Sequence, residues 1–210
     1  MLKKLFALLL VSSALFTGLA SAAEEAPDAL VKRISQEVLE TVKNDKNIQS
    51  GDQKQVLALI ETKILPYVDF QRMTSLAAVR FWKEASAEQQ KKLIGEFRSL
   101  LIYTYSGALT QVKDQKLEFK PMRSDPADTE VEVRSQVTQN RGEPIQLNYR
   151  LEKVAGGWKI YDINVLGAWM VETYKGNFTA EYNKNGIDGL IKVLSEKNKK
   201  LAERKSAKAS

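Results

Sequence analysis

Any chemistry in this chain has to rest on carboxylates, tyrosines, lysines and serines, because its 210 residues include neither cysteine nor histidine. Those two absences remove most nucleophile–base pairs, all disulfides, and the usual zinc and metalloprotease motifs. No catalytic residue, cofactor or metal site is expected. General acid–base work would need two positioned carboxylates. Asp69, Asp125, Asp128, Asp162 and Asp188 are instead scattered, and each has a plainer reading as a cap or turn residue. Gly156-Gly157 fits a hairpin turn and lacks the spacing and following helix of a phosphate cradle. Lys91-Lys92 and Lys199-Lys200 fit solvated faces. What remains is apolar surface of a particular kind. Tyr67, Phe70, Met73, Phe97, Tyr105, Tyr149, Trp169, Met170, Tyr174 and Phe178 fall on elements that should face one sheet.

That sheet is predicted from Leu117 to Val165. Val131, Val133 and Val137 alternate with Glu130, Glu132, Arg134 and Gln136, and Ile145, Leu147, Tyr149 and Leu151 alternate with Gln146, Asn148 and Arg150. Each strand therefore has one dry side. Turn residues Asn140 to Glu143 separate the two, and Ala155-Gly156-Gly157 precedes a third strand, Trp158 to Val165. Leu117 and Phe119 mark a fourth. An antiparallel meander with one apolar face must be covered.

Helices supply the cover. Asp28 is the expected cap of a helix carrying Leu30, Val31, Ile34, Val38 and Val42, and Ser50 with Gln53 forms a capping-box pattern for the next, which stops before Pro66. Asp69 can cap a helix bearing Met73, Leu76, Ala77, Arg80 and Phe81; Ser86 with Gln89 opens the longest, with Leu93, Phe97, Leu100 and Leu101 inward. Gly167 to Asn183 is predicted to lie back across the strands as a helix. Gly186 interrupts it, Asp188 to Asn198 closes the domain, and the lysine-rich 199–210 is a basic tail expected to fray. The fold class is α+β, one domain over 23–198, with a curved four-stranded antiparallel sheet wrapped by helices in an NTF2-like cone.

Residues 1–22 have the layout of a cleavable export signal: Lys3-Lys4, an apolar run from Leu5 to Leu19, then Ala20-Ser21-Ala22-Ala23. The run is shorter than the roughly 20 apolar residues needed to cross a bilayer. The formal charge of +6 falls to about +4 without Lys3 and Lys4. An exported chain of that charge meets anionic head groups or acidic protein surfaces rather than nucleic acid. A monomer is expected. On residue physics, the apolar face closes as a packed core more often than as a cavity, although methionine and large rings favour an adaptable pocket.

Tyr67-Val68-Asp69-Phe70-Gln71-Arg72-Met73-Thr74 and Val79-Arg80-Phe81-Trp82 resemble the opening signature of the MlaC family of periplasmic phospholipid-binding proteins, also called toluene-tolerance proteins. Glu96 to Leu101, Asn148 to Leu151, Gly157 to Ile163 and Gly186 to Ile191 resemble later family blocks in the same order. Two segments depart from the usual pattern: Val79 stands where a glycine often precedes the arginine, and Leu166-Gly167-Ala168-Trp169-Met170 replaces a Glu-Gly-Val-Ser-Leu-type segment. The resemblance implies a periplasmic carrier that moves phospholipid between an outer-membrane lipoprotein–porin complex and an inner-membrane ABC transporter assembly, with lipid as cargo. It turns the cone into an apolar lipid pocket, expected to be lined by Tyr67, Phe70, Met73, Phe97, Leu101, Tyr105, Val131, Val133, Val137, Leu147, Tyr149, Leu151, Trp169, Met170, Tyr174 and Phe178. Arg72, Arg80 and Lys83 are the expected partner-docking residues. The competing readings are an enzyme on a cone-shaped fold using Asp and Tyr, and a periplasmic adaptor with a closed core.

Overall fold

Pro27 opens the first helix, α1 (Pro27–Asn44), at the position where its missing N–H costs nothing. The computed structural model describes residues 24–125, 127–140 and 143–209; the expected export signal and the centre of the Asn140–Glu143 turn lie outside them. Ala26 occupies the N-cap of α1 without a side-chain bond, and Asp28, expected as the cap, lies within the first turn. There its charge still complements the helix dipole. After a short α2 (Lys46–Gln49), α3 (Gln53–Lys63) is capped by Asp52, which accepts from Lys54 N at 2.9 Å and Gln55 N at 3.2 Å. Ser50, the expected cap, instead ends α2; the aspartate is nearer the helix and is the stronger acceptor. Asp69 caps α4 (Phe70–Ala78) through Arg72 N at 2.8 Å, and the predicted capping box of Ser86 and Gln89 opens α6 (Ala87–Tyr105).

Helix α4 stops at Ala78 rather than running to Phe81. Val79 takes φ +53°, ψ −127°, and the chain restarts as α5 (Phe81–Glu84). A β-branched side chain at positive φ breaks the helical path and stores strain.

Among the described residues five antiparallel strands follow in sequential order: β1 (Lys116–Phe119), β2 (Glu130–Thr138), β3 (Ile145–Val154), β4 (Gly157–Val165) and β5 (Ala168–Trp169). The sequence pattern predicts four. The fifth is two residues long, too short to show a period, and Leu166 (φ +54°) and Gly167 (φ +88°) turn it back on β4. Arg150 pairs with Asp162 but Leu151 with Ile160, so Tyr161 is an extra residue, a bulge that bends β4. Beside it, Asp69 N donates to Ile160 O at 2.8 Å and fixes the start of α4 to the sheet.

The last helix, α7 (Met170–Ala209), is interrupted at Gly186, where φ is +66°. Where fraying is expected from Lys199, the helix continues to Ala209: Leu201 packs on the helical core, and Lys205 Nζ donates to Ser106 Oγ at the end of α6. Buried apolar residues form three clusters. One joins α4, α5, α6 and α7; one joins α1 to the sheet; one joins α1, α2 and α3.

A half-closed apolar seam as the candidate functional site

The strand register places Leu117, Val131, Val133, Ser135, Val137, Ile145, Leu147, Tyr149, Leu151, Ile160, Ile163 and Val165 on one inner face. Burial divides that face. Val133, Tyr149, Leu151, Trp158 and Ile160 are buried beneath Leu30, Val31 and Ile34 of α1, with Tyr67 and Val131 at the edge of the cluster. Leu117, Val137, Ile145, Leu147 and Val165, on the same face, are half-buried. Val165 packs against the helical cluster, as does the half-buried Leu101 of α6. Tyr105, one turn beyond Leu101, is 39% exposed. The inner face is thus closely packed under α1 and only half-buried toward its Val137 and Ile145 end.

The remaining predicted lining residues divide by element. Met73, Phe97, Met170, Tyr174 and Phe178 form the interior of the helical wall, with Phe70 half-buried at its border. Phe97 meets Tyr174 and Phe178 edge-on, at centroid distances of 5.0 and 4.9 Å. The Tyr174 hydroxyl is pushed up to about 12, first by burial and then by Tyr105. Trp169 does not join them. Its β5 position pairs with Asn164, on the outer face, and its ring lies 3.8 Å from the Arg150 guanidinium carbon. Read as part of a helix it should point inward; as strand it points the other way.

Arg72 is engaged within the chain. Its guanidinium lies over the Tyr161 ring at 4.1 Å, pairs with Glu130 at 2.5 Å and pairs with Glu152. Tyr161 donates to Glu130 at 3.1 Å, and the Arg72 hydrogen bond holds the Glu130 carboxyl below the usual carboxylate range. Two carboxylates neutralise this arginine, leaving little charge for a partner. Arg80 and Lys83 are exposed and make no ion pair among the described residues. Arg80 lines a surface cleft of about 250 Å³ with Val79, Phe81, Lys175, Thr179, Tyr182 and Asn183.

The aspartates fill structural positions. Asp162 is buried and accepts from Ile163 N at 2.9 Å and Val171 N at 3.0 Å, so that β4 caps the start of α7. Burial raises its pKa against those bonds and against Arg150 at 3.6 Å. Asp125 and Asp128 close a local turn, and Asp188 accepts from Gln89 at 2.9 Å. Among the described residues no cluster of carboxylates is arranged to hold a metal ion. The half-buried residues at this end of the face, Leu117, Val137, Ile145, Leu147 and Val165, are all apolar.

Sequence reasoning missed Ser135, a buried polar residue between Val133 and Val137, because alternation was followed through apolar residues. Leu117 and Ile145 were read on the apolar sides of their strands but not named as lining residues, and Ile163 and Val165, which share the inner face by register, were not singled out.

The MlaC protein family model matches residues 32–196. A Haemophilus influenzae protein, the intermembrane phospholipid transport system binding protein MlaC, is 27% identical over 93% of this chain and 93% of its own length. The Pseudomonas putida toluene tolerance protein ttg2D is 26% identical over 81% of this chain and 79% of its own. A Ralstonia solanacearum phospholipid-binding protein, solved in complex with a phospholipid, is similar in fold with a TM-score of 0.79. It is 45% identical and matches 83% of this chain and 98% of its own.

Proposed function

This chain belongs to the MlaC family, and from that premise we propose that it is a phospholipid carrier whose acyl chains enter the seam between the inner sheet face and α6. The observation that carries the reading is the half-buried end of that face, Val137, Ile145, Leu147 and Val165, in a fold shared with a relative solved with phospholipid bound. Each acyl methylene gains about 0.8 kcal/mol on leaving water, so a free lipid crosses an aqueous gap slowly. Passing between a bilayer and an apolar seam is nearly balanced, because the chains stay dry at both ends. Such a carrier needs no catalytic side chain. It also imposes no direction, which its partners must supply.

The carrier reading places the protein in the periplasm after export, working between an outer-membrane lipoprotein–porin complex and an inner-membrane ABC transporter assembly. The name of the Haemophilus relative, an intermembrane phospholipid transport binding protein, supports this setting. Exposed Arg80 and Lys83 give it a basic surface for acidic partner patches. The test is mass spectrometry on an organic extract of protein purified without detergent. Diacyl phospholipid in near-stoichiometric amount is expected; clean, folded protein with none overturns the reading.

A further inference from the structure

Strand β1 stands at one edge of the sheet and pairs with β2 on one side only. The backbone bond from Lys120 N to Arg134 O, at 2.9 Å, continues the β1–β2 register past Phe119 and fixes which way each group faces. Alternate residues of an antiparallel pair bond to the partner strand. Lys116, Glu118 and Lys120 therefore bond toward β2, and the N–H and C=O groups of Leu117 and Phe119 point away from the sheet. Among the described residues no further backbone group bonds to Leu117 or Phe119. Lys43 Nζ of α1 donates to Gln115 O at 2.8 Å and holds the start of the strand in place.

Charge along this edge is unbalanced. Lys113, Lys116, Lys120 and Arg123 are all exposed and make no ion pair among the described residues. The two carboxylates of the same stretch already have partners: Asp114 accepts from Asn140, and Glu118 accepts from Gln136 at 2.9 Å and Thr138 at 3.4 Å. We propose that the open edge of β1 is a docking site for an extended acidic segment of a partner protein, which adds to the sheet as a further strand. Main-chain bonds to Leu117 and Phe119 supply the attachment, and alternate side chains supply the choice of partner. Carboxylates four residues apart on the added strand meet Lys116 and Lys120 on the outer face, and its apolar residues lie beside the half-buried Leu117 and Phe119 on the inner one. A second copy of this chain is disfavoured, because pairing β1 with itself sets lysine against lysine. The inference goes beyond the carrier reading and does not need lipid in the protein.

The test follows the backbone amides of isotopically labelled protein by nuclear magnetic resonance. The probe is a capped Val-Glu-Val-Thr-Val-Glu-Val peptide, with lysine in place of glutamate as the control. The acidic peptide should shift the Leu117 and Phe119 amides and slow their hydrogen exchange, more weakly as salt rises, and the lysine peptide should not. Leu117→Ala keeps the outward N–H and should still bind. Leu117→Pro removes that donor at an edge position, where proline costs no ladder bond, and should bind about tenfold more weakly than Leu117→Ala. Lys116→Glu combined with Lys120→Glu should reverse the preference between the two peptides. An acidic peptide that leaves the β1 amides unchanged at millimolar concentration overturns the proposal. Equal binding by folded Leu117→Ala and Leu117→Pro also overturns it, since charge alone would then hold the peptide. So does perturbation of these amides by phosphatidylglycerol vesicles but not by the peptide, which would assign the edge to a lipid surface. If Leu117→Pro fails to fold, exchange protection in wild type and the charge reversal still decide. No readout depends on bound phospholipid, so failure of the carrier reading leaves this result standing.

Discussion

Leu147 and Val165 are partners across β3 and β4, in the middle of the sheet and on its inner face, yet both are only half-buried. Two rows away, Leu151 on the same strand and face is fully buried under α1. Central strand positions facing inward are normally the driest in a domain. The contrast follows from position in the packing: Leu147 lies at the border of the cluster under α1 and Val165 at the border of the helical cluster, whereas Leu151 is inside the first.

Both departures from the family pattern fall on the two non-glycine residues with positive φ among the described residues, Val79 at +53° and Leu166 at +54°. Both side chains are exposed, so glycine or asparagine loses little packing. Val79→Gly relieves strain of about 1–3 kcal/mol and adds unfolded-state entropy of about 0.5–1 kcal/mol, for a net gain on the order of 1 kcal/mol. Urea unfolding should show a higher midpoint with unchanged slope.

Leu166 and Gly167 form a two-residue hairpin loop with both φ values positive, the geometry that favours Asn-Gly. Leu166→Asn should therefore stabilise by about 1 kcal/mol, raising Tm by roughly 2–4 °C in a domain of this size. A lower Tm by calorimetry would show that the exposed leucine makes a stabilising contact.

Arg72→Ala should destabilise the protein by about 1–3 kcal/mol, since it leaves the largely buried Glu152 without its cation. Arg72 lowers the Glu130 pKa, so this contribution is present above the ordinary glutamate range and is lost as pH falls through the lowered value. The stability difference between wild type and variant should shrink on acidification below about pH 4. Denaturant midpoints measured across that range provide the check.

Arg80→Glu should behave oppositely. The side chain is exposed and makes no ion pair among the described residues, so stability should change by less than about 0.5 kcal/mol. Binding to a membrane-embedded partner should weaken and lose salt dependence. Unchanged affinity and salt slope would remove this face from the docking surface.

Period-two alternation was legible because Val131 to Val137 and Ile145 to Leu151 each bury one face, so four strands and their inward residues follow from the sequence. Asp69, Ser86 and Gln89 likewise marked real caps. The errors occur where two neighbours compete or a segment is too short for periodicity. Asp52 outcompetes Ser50 as a cap, and two-residue β5 sends Trp169 to the outer face. Arg72 looked like a surface charge because its partners, Glu130 and Glu152, lie 58 and 80 residues away. The inward strand residues were therefore visible in the alternation, but their unequal burial was not; it depends on which of them α1 covers.

Leu147→Asp tests the acyl-chain seam most directly. If the inner face is a lipid-lined seam, water can follow the chains out and solvate the carboxylate. The variant should then keep a cooperative fold by circular dichroism, yield no phospholipid on extraction, and melt below loaded wild type by the loss of ligand stabilisation. A folded variant still fully loaded with phospholipid would contradict the seam, as would one that unfolds because the charge is trapped in a closed core.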